Sequence, residues 1–276
     1  MDRPIIFGIL NVTADSFSDG GRYLDPQAAL AHARALAAAG ADVIDIGAAS
    51  SHPDAEDVGA AEEIRRLAPV LPRLVAEGIE VSVDTFEPDV QLWAMGQGAA
   101  CLNDIQGFPH PEIYPALASG SAKLIVMHGV QARGRARRLD VAPEDIWQRI
   151  FAFFDARVAA LEAAGIARGR LVLDPGMGFF LGTDPEVSLT VLRDIARLKV
   201  RYGLPVLVSV SRKSFLRALT GRAAAEAGPA TLAAELFAAW AGVDYIRTHD
   251  AGALRDALTL GSALMGPVLP GLTVKQ

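Results

Sequence analysis

The chain has 276 residues and a mass of 29.1 kDa, and its 26 basic and 32 acidic side chains leave a formal net charge of −6. Because 51% of the residues are hydrophobic, a large core can form and simple disorder is excluded. The acidic balance argues against nucleic acid as the main partner. Cys101 is the one cysteine, which excludes an intrachain disulfide and a cysteine metal cluster within one chain.

The length allows two small domains or one (β/α)₈ barrel, for which about 250 residues is typical. The N-terminal apolar run, residues 5–10, is too short for a secretory signal. It also falls far short of the roughly 18 apolar residues that a membrane span needs. No stretch has the composition of a linker. We therefore expect a single domain over residues 1–276, in a cytoplasmic protein that binds no membrane.

Short runs rich in β-branched residues alternate along the chain with longer, alanine-rich amphipathic stretches. The runs are continuously apolar, as expected for strands covered on both faces. They predict strands at residues 5–10, 42–46, 80–83, 100–105, 123–127, 170–173, 206–210 and 244–248.

Helical patterns fill the intervals between these strands. The first helix is expected to begin at Asp25, with a proline at its first position, and to end before Gly40. An apolar stripe at 64–74 contains two prolines, which predicts a kinked or broken helix. Another stripe covers 146–161, and a further helix is expected from 184 to just before 203.

Alternation of strands and helices predicts parallel βα units and the α/β class. A doubly wound open sheet has the same local signature. Eight units in a chain of this length favour a single closed (β/α)₈ TIM barrel.

Polar groups lie at or just after the C-terminal end of each predicted strand. Any one of them alone is explained equally well as a helix cap or a loop hydrogen bond. In a barrel, all eight positions converge on the mouth that carries the active site. In chain order they are Asn11, Asp45, Asp84, Asn103-Asp104, His128, Asp174, Ser211-Arg212-Lys213 and Arg247-Thr248-His249.

The residue types at the mouth indicate the ligand. Four side chains supply oxygen acceptors for a planar, donor-rich heterocycle, since a carboxylate accepts two parallel N–H bonds. These are Asp45, Asp84, Asn103 and Asp174. The cations come from the last two strands, where barrels often hold a phosphate, and are Lys213, Arg247 and His249. We therefore expect acceptors and cations in different sectors of the mouth.

The loop at 11–21 is polar and ends in paired glycines, which suits a mobile cover over a site. An ordinary βα connection is the alternative, but such connections usually have about two to six residues.

These residues belong to motifs that resemble those of the dihydropteroate synthases, in that family's order and over essentially the whole chain. Each motif alone is weak, but the ordered set is specific. The motifs are GILNVTADSFSDGG (8–21), GADVIDIG (40–47), VDT (83–85), NDI (103–105), MH (127–128), LDPGMGF (173–179), SRKSF (211–215) and RTHD (247–250).

The resemblance implies a barrel enzyme of folate synthesis that condenses 6-hydroxymethyl-7,8-dihydropterin diphosphate with p-aminobenzoate. It implies pterin contacts at Asp84, Asn103, Asp174 and Lys213, with Asp45 and Met127 beside them. It implies diphosphate contacts at Arg247, His249 and Asn11, and a Mg²⁺ ion placed by Asn11. It implies p-aminobenzoate contacts at Ser211, Ser51 and Phe179. It also implies a homodimer formed through outer helices.

The reaction implied by the resemblance is dissociative. The bond to diphosphate breaks first and leaves a pterin-stabilised cation, which the aryl amine then attacks. The groups expected to promote these steps are Asp84, Lys213, Arg247 and His249. No covalent intermediate is needed, so Cys101 is interpreted as a packing residue.

The sequence departs from the family's usual pattern at three places. Ala14 replaces a proline, His52 replaces the arginine of the second loop, and Phe180-Leu181 replace a glycine and a lysine. These changes resemble the sulfonamide-insensitive branch of the family. We hypothesise that bulk at Phe180 excludes the larger sulfonamide and still admits a carboxylate. Neutral drift in the loop is the alternative.

Two other functions remain open at this point: a pterin-dependent methyltransferase barrel and a pterin-binding paralogue without turnover. His128 is interpreted as a structural hydrogen-bonding residue, and the arginines at 133–138 as a solvated loop. The three tryptophans lie in helical stretches and are interpreted as packing residues.

Overall fold

A computed structural model describes residues 3–13, 25–49, 58–131 and 139–265 of the chain. Eight strands form one parallel sheet, and every predicted strand is present within a few residues of its expected bounds. They are β1 (Ile5–Asn11), β2 (Val43–Gly47), β3 (Val81–Asp84), β4 (Cys101–Asp104), β5 (Lys123–Met127), β6 (Leu171–Asp174), β7 (Leu207–Val208) and β8 (Tyr245–Thr248).

The sheet closes on itself. Its hydrogen-bonded order is β6-β5-β4-β3-β2-β1-β8-β7. The two end strands meet through a parallel bridge between Leu173 and Val206, and the Leu173 amide donates to the Pro205 carbonyl at 2.9 Å. The fold is therefore the predicted (β/α)₈ barrel and not an open doubly wound sheet.

Helices surround the barrel between successive strands. The predicted start at Asp25 is confirmed, because its carboxylate accepts from the Gln27 amide at 3.1 Å. Asp184 caps a later helix in the same way through the Glu186 amide at 2.9 Å. The helices are α1 (Pro26–Ala38), α2 (Ala60–Leu67), α3 (Leu71–Ala76), α4 (Pro88–Gly96), α5 (Tyr114–Ser119), α6 (Ile146–Ala163), α7 (Pro185–Arg193), α8 (Ala196–Tyr202), α9 (Ser214–Thr220), α10 (Gly228–Trp240) and α11 (Ala251–Met265).

Two breaks divide helical stretches. The predicted break separates α2 from α3: Pro69 lies between the two helices, and Pro72 lies in the first turn of α3. The expectation of one helix from 184 to 202 is wrong, because the backbone leaves the helical region at Asp194 (φ −106°, ψ 18°) between α7 and α8. Neither glycine nor proline marks this break in the sequence.

Alternate side chains of the strands face opposite sides of the barrel wall. The outward set packs against the helices and forms the main core. The inward set begins, at the N-terminal end of the barrel, with a buried apolar ring. Its members are Phe7, Val43, Cys101, Ile125, Val172, Leu207 and Tyr245. Cys101 is thus a packing residue, as predicted.

The helices that the structure describes include none long and apolar enough to cross a membrane. Trp147 is buried, but Trp240 is 50% exposed, so the expectation that all three tryptophans serve packing is wrong for Trp240.

Candidate active site

A polar layer lies directly above the apolar ring inside the barrel. Residues two positions further along a strand face the same side, so Asp45 follows Val43 and Asn103 follows Cys101. The polar residues of the layer that this alternation places inward are Asp45, Ser82, Asp84, Asn103, Asp174, Ser209 and Arg247. Five of the seven are buried, and the side chains of Asp84 and Arg247 are 17% and 14% exposed.

Arg247 joins two carboxylates at the centre of this layer. Its Nε donates to Asp45 at 2.5 Å and its Nη2 to Asp84 at 2.7 Å. Burial alone lowers the pKa of Arg247, but the two carboxylates outweigh it and raise the pKa. The expected separation of acceptors and cations into different sectors is therefore wrong. β8 pairs with β1 and β1 with β2, so the long arginine reaches across to β2 and β3.

Burial brings the titration of three further groups towards neutral pH. It raises the pKa of Asp84 and of Asp174 to about 6, although Arg247 and Lys213 oppose the shift. It lowers the pKa of Lys213 to about 8, with Arg247 acting in the same direction. Acceptors and a donor that change protonation near neutral pH lie in one cavity, as is common in active sites.

The turn after β6 fixes the direction of Asp174. Its Oδ1 accepts from the Gly176 amide at 2.7 Å. Gly176 has φ +75°, and a Cβ there would lie 2.4 Å from the His128 carbonyl oxygen. His128 Nδ1 lies 3.0 Å from the Pro175 carbonyl oxygen, and burial lowers the pKa of His128 to about 4. His128 is therefore a neutral structural residue, as predicted.

Gly176→Ala should destabilise the protein by about 2–3 kcal/mol, because a side chain at positive φ is strained and its Cβ meets a carbonyl oxygen. Gly203→Ala is the matched control, since Gly203 has φ +60° with open space around the added Cβ, and it should cost about 1–2 kcal/mol. Urea unfolding of both variants measures the difference. Equal costs would show that the close approach to His128 has no effect.

Ser211 and His249 form a pair on the last two strands of the barrel. The Ser211 Oγ accepts from the His249 amide at 3.3 Å and lies 2.9 Å from His249 Nδ1. Burial, together with Arg212, Arg247 and Lys213, lowers the pKa of His249 well below its usual value. In the protein without ligand, burial thus favours the neutral form of His249, whereas its predicted role was that of a cation. In the tautomer in which Ser211 donates to Nδ1, the neutral ring offers an Nε2–H donor to a ligand, and in the other tautomer Nε2 is an acceptor.

Several buried polar atoms of the inner layer have no hydrogen-bond partner within the part of the chain that the structure describes. They are Asp45 Oδ1, Ser82 Oγ, Asn103 Oδ1 and Ser209 Oγ. Buried polar atoms without partners are costly, so this layer suits a ligand that supplies donors. The sequence analysis did not include Ser82 and Ser209. Ser82 lies two residues before Asp84, and Ser209 lies two residues before Ser211. Because alternate side chains of a strand face the same side, this spacing indicates that Ser82 and Ser209 face inward.

An apolar cluster forms the rim of the site above the polar layer. Three of its five members are buried. They are Ile105, Met127 and Phe180, with Phe86 and Phe179 packed against them. The Lys213 ammonium lies 5.1 Å from the centre of the Phe180 ring. The sequence predicted Met127, Phe179 and Phe180 here but missed Ile105, the last residue of the NDI segment, and Phe86, which directly follows the VDT segment.

The structure brings most of the predicted residues together at the C-terminal mouth of the barrel. Asn11 ends β1 opposite Gly47, and Gly47 pairs with Asp84. Asn11 therefore lies level with the upper edge of the polar layer. Ser51, His52, Ala14 and the arginines at 133–138 lie outside the described residues, as does most of the 11–21 loop.

A closed (β/α)₈ barrel whose mouth combines buried acceptors, cations and an apolar rim has the architecture of an enzyme that acts on a small molecule. The comparisons identify the class: residues 7–249 match the family model of the pterin binding enzymes. The chain is 61% identical over 260 residues to "Dihydropteroate synthase type-2" of Escherichia coli, with 94% of this chain and 96% of that protein covered. It is 51% identical to "Dihydropteroate synthase type-3" of Escherichia coli, with 94% and 98% covered.

Solved structures give the same result. A Xanthomonas albilineans dihydropteroate synthase with 4-aminobenzoic acid superposes with a TM-score of 0.86 at 39% identity, covering 98% of this chain and 95% of the other. A Yersinia pestis dihydropteroate synthase in a sulfonamide drug complex superposes with a TM-score of 0.87 at 34% identity, covering 96% of each chain. The chain belongs to the dihydropteroate synthase family. It is a transferase of folate biosynthesis, which favours this function over the methyltransferase and non-catalytic alternatives.

Proposed function

We propose that the enzyme condenses 6-hydroxymethyl-7,8-dihydropterin diphosphate with p-aminobenzoate and releases diphosphate and 7,8-dihydropteroate. The observation that carries the proposal is the polar layer inside the barrel, in which Asp45 Oδ1 and Asn103 Oδ1 lack hydrogen-bond partners among the described residues. A pterin ring supplies the N–H donors that these acceptors need.

We assign the pterin contacts to residues of the inner layer. Asp174 and Asn103 accept from the ring's N–H groups, and Lys213 donates to its acceptor atoms. Asp84 is the remaining pterin contact, and its Oδ2 accepts a hydrogen bond from Arg247. As anions, Asp84 and Asp174 favour the cation that forms when the bond to diphosphate breaks.

The leaving group lies towards the mouth of the barrel. Arg247 has five N–H donors, of which one on Nε and one on Nη2 bind carboxylates. The remaining donors of Arg247 and the Nε2–H of His249 stabilise the negative charge that develops on diphosphate. The aryl amine of p-aminobenzoate then attacks the pterin cation. Ser211, Ser51 and Phe179 are its proposed contacts, and no covalent enzyme intermediate forms.

We include Mg²⁺ in the proposal. The described residues contain no cluster of three His, Cys, Asp or Glu side chains that could hold a metal alone. A single amide oxygen, from Asn11, fits an ion that is otherwise bound by substrate phosphates and water, which is how proteins commonly bind Mg²⁺. When bound, the ion would neutralise charge on the diphosphate.

The assay that tests the function combines purified protein, dihydropterin diphosphate, Mg²⁺ and p-aminobenzoate, with detection of diphosphate and dihydropteroate. Formation of both products in equal amounts is the expected result. Tight pterin binding without turnover would contradict the proposed reaction.

Reduced sensitivity to sulfonamides is part of the proposal, and Phe180 is its proposed cause. Phe180 is 4% exposed and lies in the rim against Lys213, so its ring occupies space that a longer ligand would need. Phe180→Ala should therefore tighten sulfamethoxazole binding about 10-fold, with a smaller change in the KM of p-aminobenzoate.

The sulfamethoxazole inhibition constants of the wild-type enzyme and of Phe180→Ala measure this effect. Phe151→Ala is the control, because it removes a partly buried ring between the outer helices. A wild-type inhibition constant close to the p-aminobenzoate KM, or one unchanged in Phe180→Ala, would contradict the proposed exclusion.

A homodimer and a cytoplasmic location complete the proposal. Two neighbouring helices, α10 and α11, expose large apolar side chains on the outside of the barrel. They are Phe237, Trp240, Leu260 and Leu264. Such a surface suits a second copy of the chain. Trp240→Glu should give monomers in sedimentation experiments at micromolar concentration, whereas Val200→Glu, on the exposed face of α8, should not.

A further inference from the structure

A ring of hydrogen bonds lies outside the barrel wall, directly behind two of the proposed pterin contacts. Asp84 and Asn103 face inward from β3 and β4. Their chain neighbours Thr85 and Asp104 are both buried on the helix side of the wall. The side chain that connects these two neighbours is Gln91 of α4, which is 1% exposed.

The ring is closed by three hydrogen bonds. The Thr85 amide donates to the Asn103 carbonyl at 3.0 Å, as part of the pairing of β3 with β4. Gln91 Nε2 donates to the Thr85 carbonyl at 3.1 Å and to Asp104 Oδ2 at 2.9 Å. One amide nitrogen therefore uses both of its protons to join the ends of two adjacent strands.

Asp104 extends the ring into the following turn. Its carboxylate also accepts from the amides of Gln106 at 2.7 Å and of Phe108 at 3.0 Å. Phe108 has φ +61°, a conformation that a bulky side chain rarely adopts, and the Tyr114 hydroxyl donates to its carbonyl at 2.7 Å. The turn that carries the rim residue Ile105 is thus held in one conformation by buried hydrogen bonds.

We propose that Gln91 is a positioning residue that sets the spacing between Asp84 and Asn103 for recognition of the pterin ring. The inference rests on the proposed function, because it assumes that these two side chains bind the pterin. Gln91 touches neither substrate. It acts by tying the backbone of Thr85, next to Asp84, to the side chain of Asp104, next to Asn103.

These hydrogen bonds of Gln91 matter because both strands that they connect are short. β3 and β4 have four residues each, and three register pairs join them. The last of these pairs is Asp84 with Asn103, so the contact residues lie at the end of the ladder, where backbone hydrogen bonds fray first. A buried amide that donates to both strand ends restrains that opening. Displacing a binding group by about 1 Å can cost up to about 100-fold in rate.

The test is Gln91→Leu, which keeps a side chain of similar size and removes both hydrogen bonds. The KM of dihydropterin diphosphate should rise about 10-fold, whereas the KM of p-aminobenzoate should change less than about 2-fold. Val90→Ala is the matched control on the same helix, since Val90 is fully buried but lies outside the ring. It should lower the Tm and leave both KM values unchanged.

Asp84→Asn separates failure of the inference from failure of the proposed function. If Asp84→Asn raises the KM of dihydropterin diphosphate and Gln91→Leu does not, Gln91 has no positioning role. If neither variant changes that KM, the assignment of the pterin site itself is wrong. Should Gln91→Leu fail to fold, Gln91→Asn keeps an amide that is one methylene too short to join both partners. A normal KM for the pterin substrate in Gln91→Asn would then overturn the inference.

Discussion

Arg247→Met is expected to lower kcat/KM at least about 100-fold and to destabilise the fold by about 3–5 kcal/mol. The loss of activity follows from the removal of charge that faces the leaving diphosphate. The loss of stability follows because Asp45 and Asp84 each lose their ion-pair partner, and Asp45 is fully buried. Steady-state kinetics and urea unfolding of the same preparation measure both effects.

The matched control is Arg201→Met. Arg201 also donates to a carboxylate at 2.7 Å, that of Asp155, but both side chains are about half exposed. Solvent screens such a pair, so the control should lose little stability and no activity. Equal destabilisation by the two substitutions would show that burial of the Arg247 pair has no energetic consequence, and full activity of Arg247→Met would remove it from the site.

Arg247→Lys refines this prediction. Lysine retains the positive charge but lacks the planar fork that reaches Asp45 and Asp84 together. We expect it to recover part of the lost stability and little of the activity. Complete recovery of both would mean that charge alone, without geometry, accounts for the role of Arg247.

The barrel was predictable from the sequence because each strand is a short apolar run bounded by helical patterns. The alternation of side chains along a strand also predicts which residues face the inside of the barrel. Asp45 and Asp174 each lie two positions after an inward-facing apolar residue, Val43 and Val172. The break between α7 and α8 was not predictable, because no proline or glycine marks Asp194. β7 proved shorter than its apolar run, since Val206 contributes a single bridge and residues 209–210 lie beyond the ladder.

The charges of the site were less predictable than its residues. The sequence placed Arg247 and His249 with the phosphate because both lie at the C-terminal end of β8. Whether an arginine reaches back to Asp45 depends on the order of strands around a closed barrel, which spacing along the chain does not give. The neutral state of His249 likewise depends on burial and on three neighbouring cations. Gln91 gave no signal in the sequence, since its partners are 6 and 13 residues away on the outside of the wall.

The second large effect concerns Lys213 and pH. We expect kcat/KM to rise as pH increases through about 6, because the pKa values of Asp84 and Asp174 are raised to about 6 by burial and both must be ionised. We expect it to fall above about 8, because burial lowers the pKa of Lys213 to about 8 and the ammonium is the donor to the pterin. Lys213→Met should lower kcat/KM at least about 100-fold at pH 7 and abolish the alkaline limb.

Lys123→Met is the matched control for the alkaline limb. Lys123 begins β5 at the opposite end of the barrel, where its ammonium donates to the Tyr245 hydroxyl at 3.2 Å. That hydrogen bond raises the pKa of Lys123, so it stays protonated where Lys213 titrates. The control should therefore keep both limbs of the profile. An alkaline limb that survives in Lys213→Met would have to come from another group, and the direct contact of Lys213 with the pterin would then be excluded as the origin of the pH dependence.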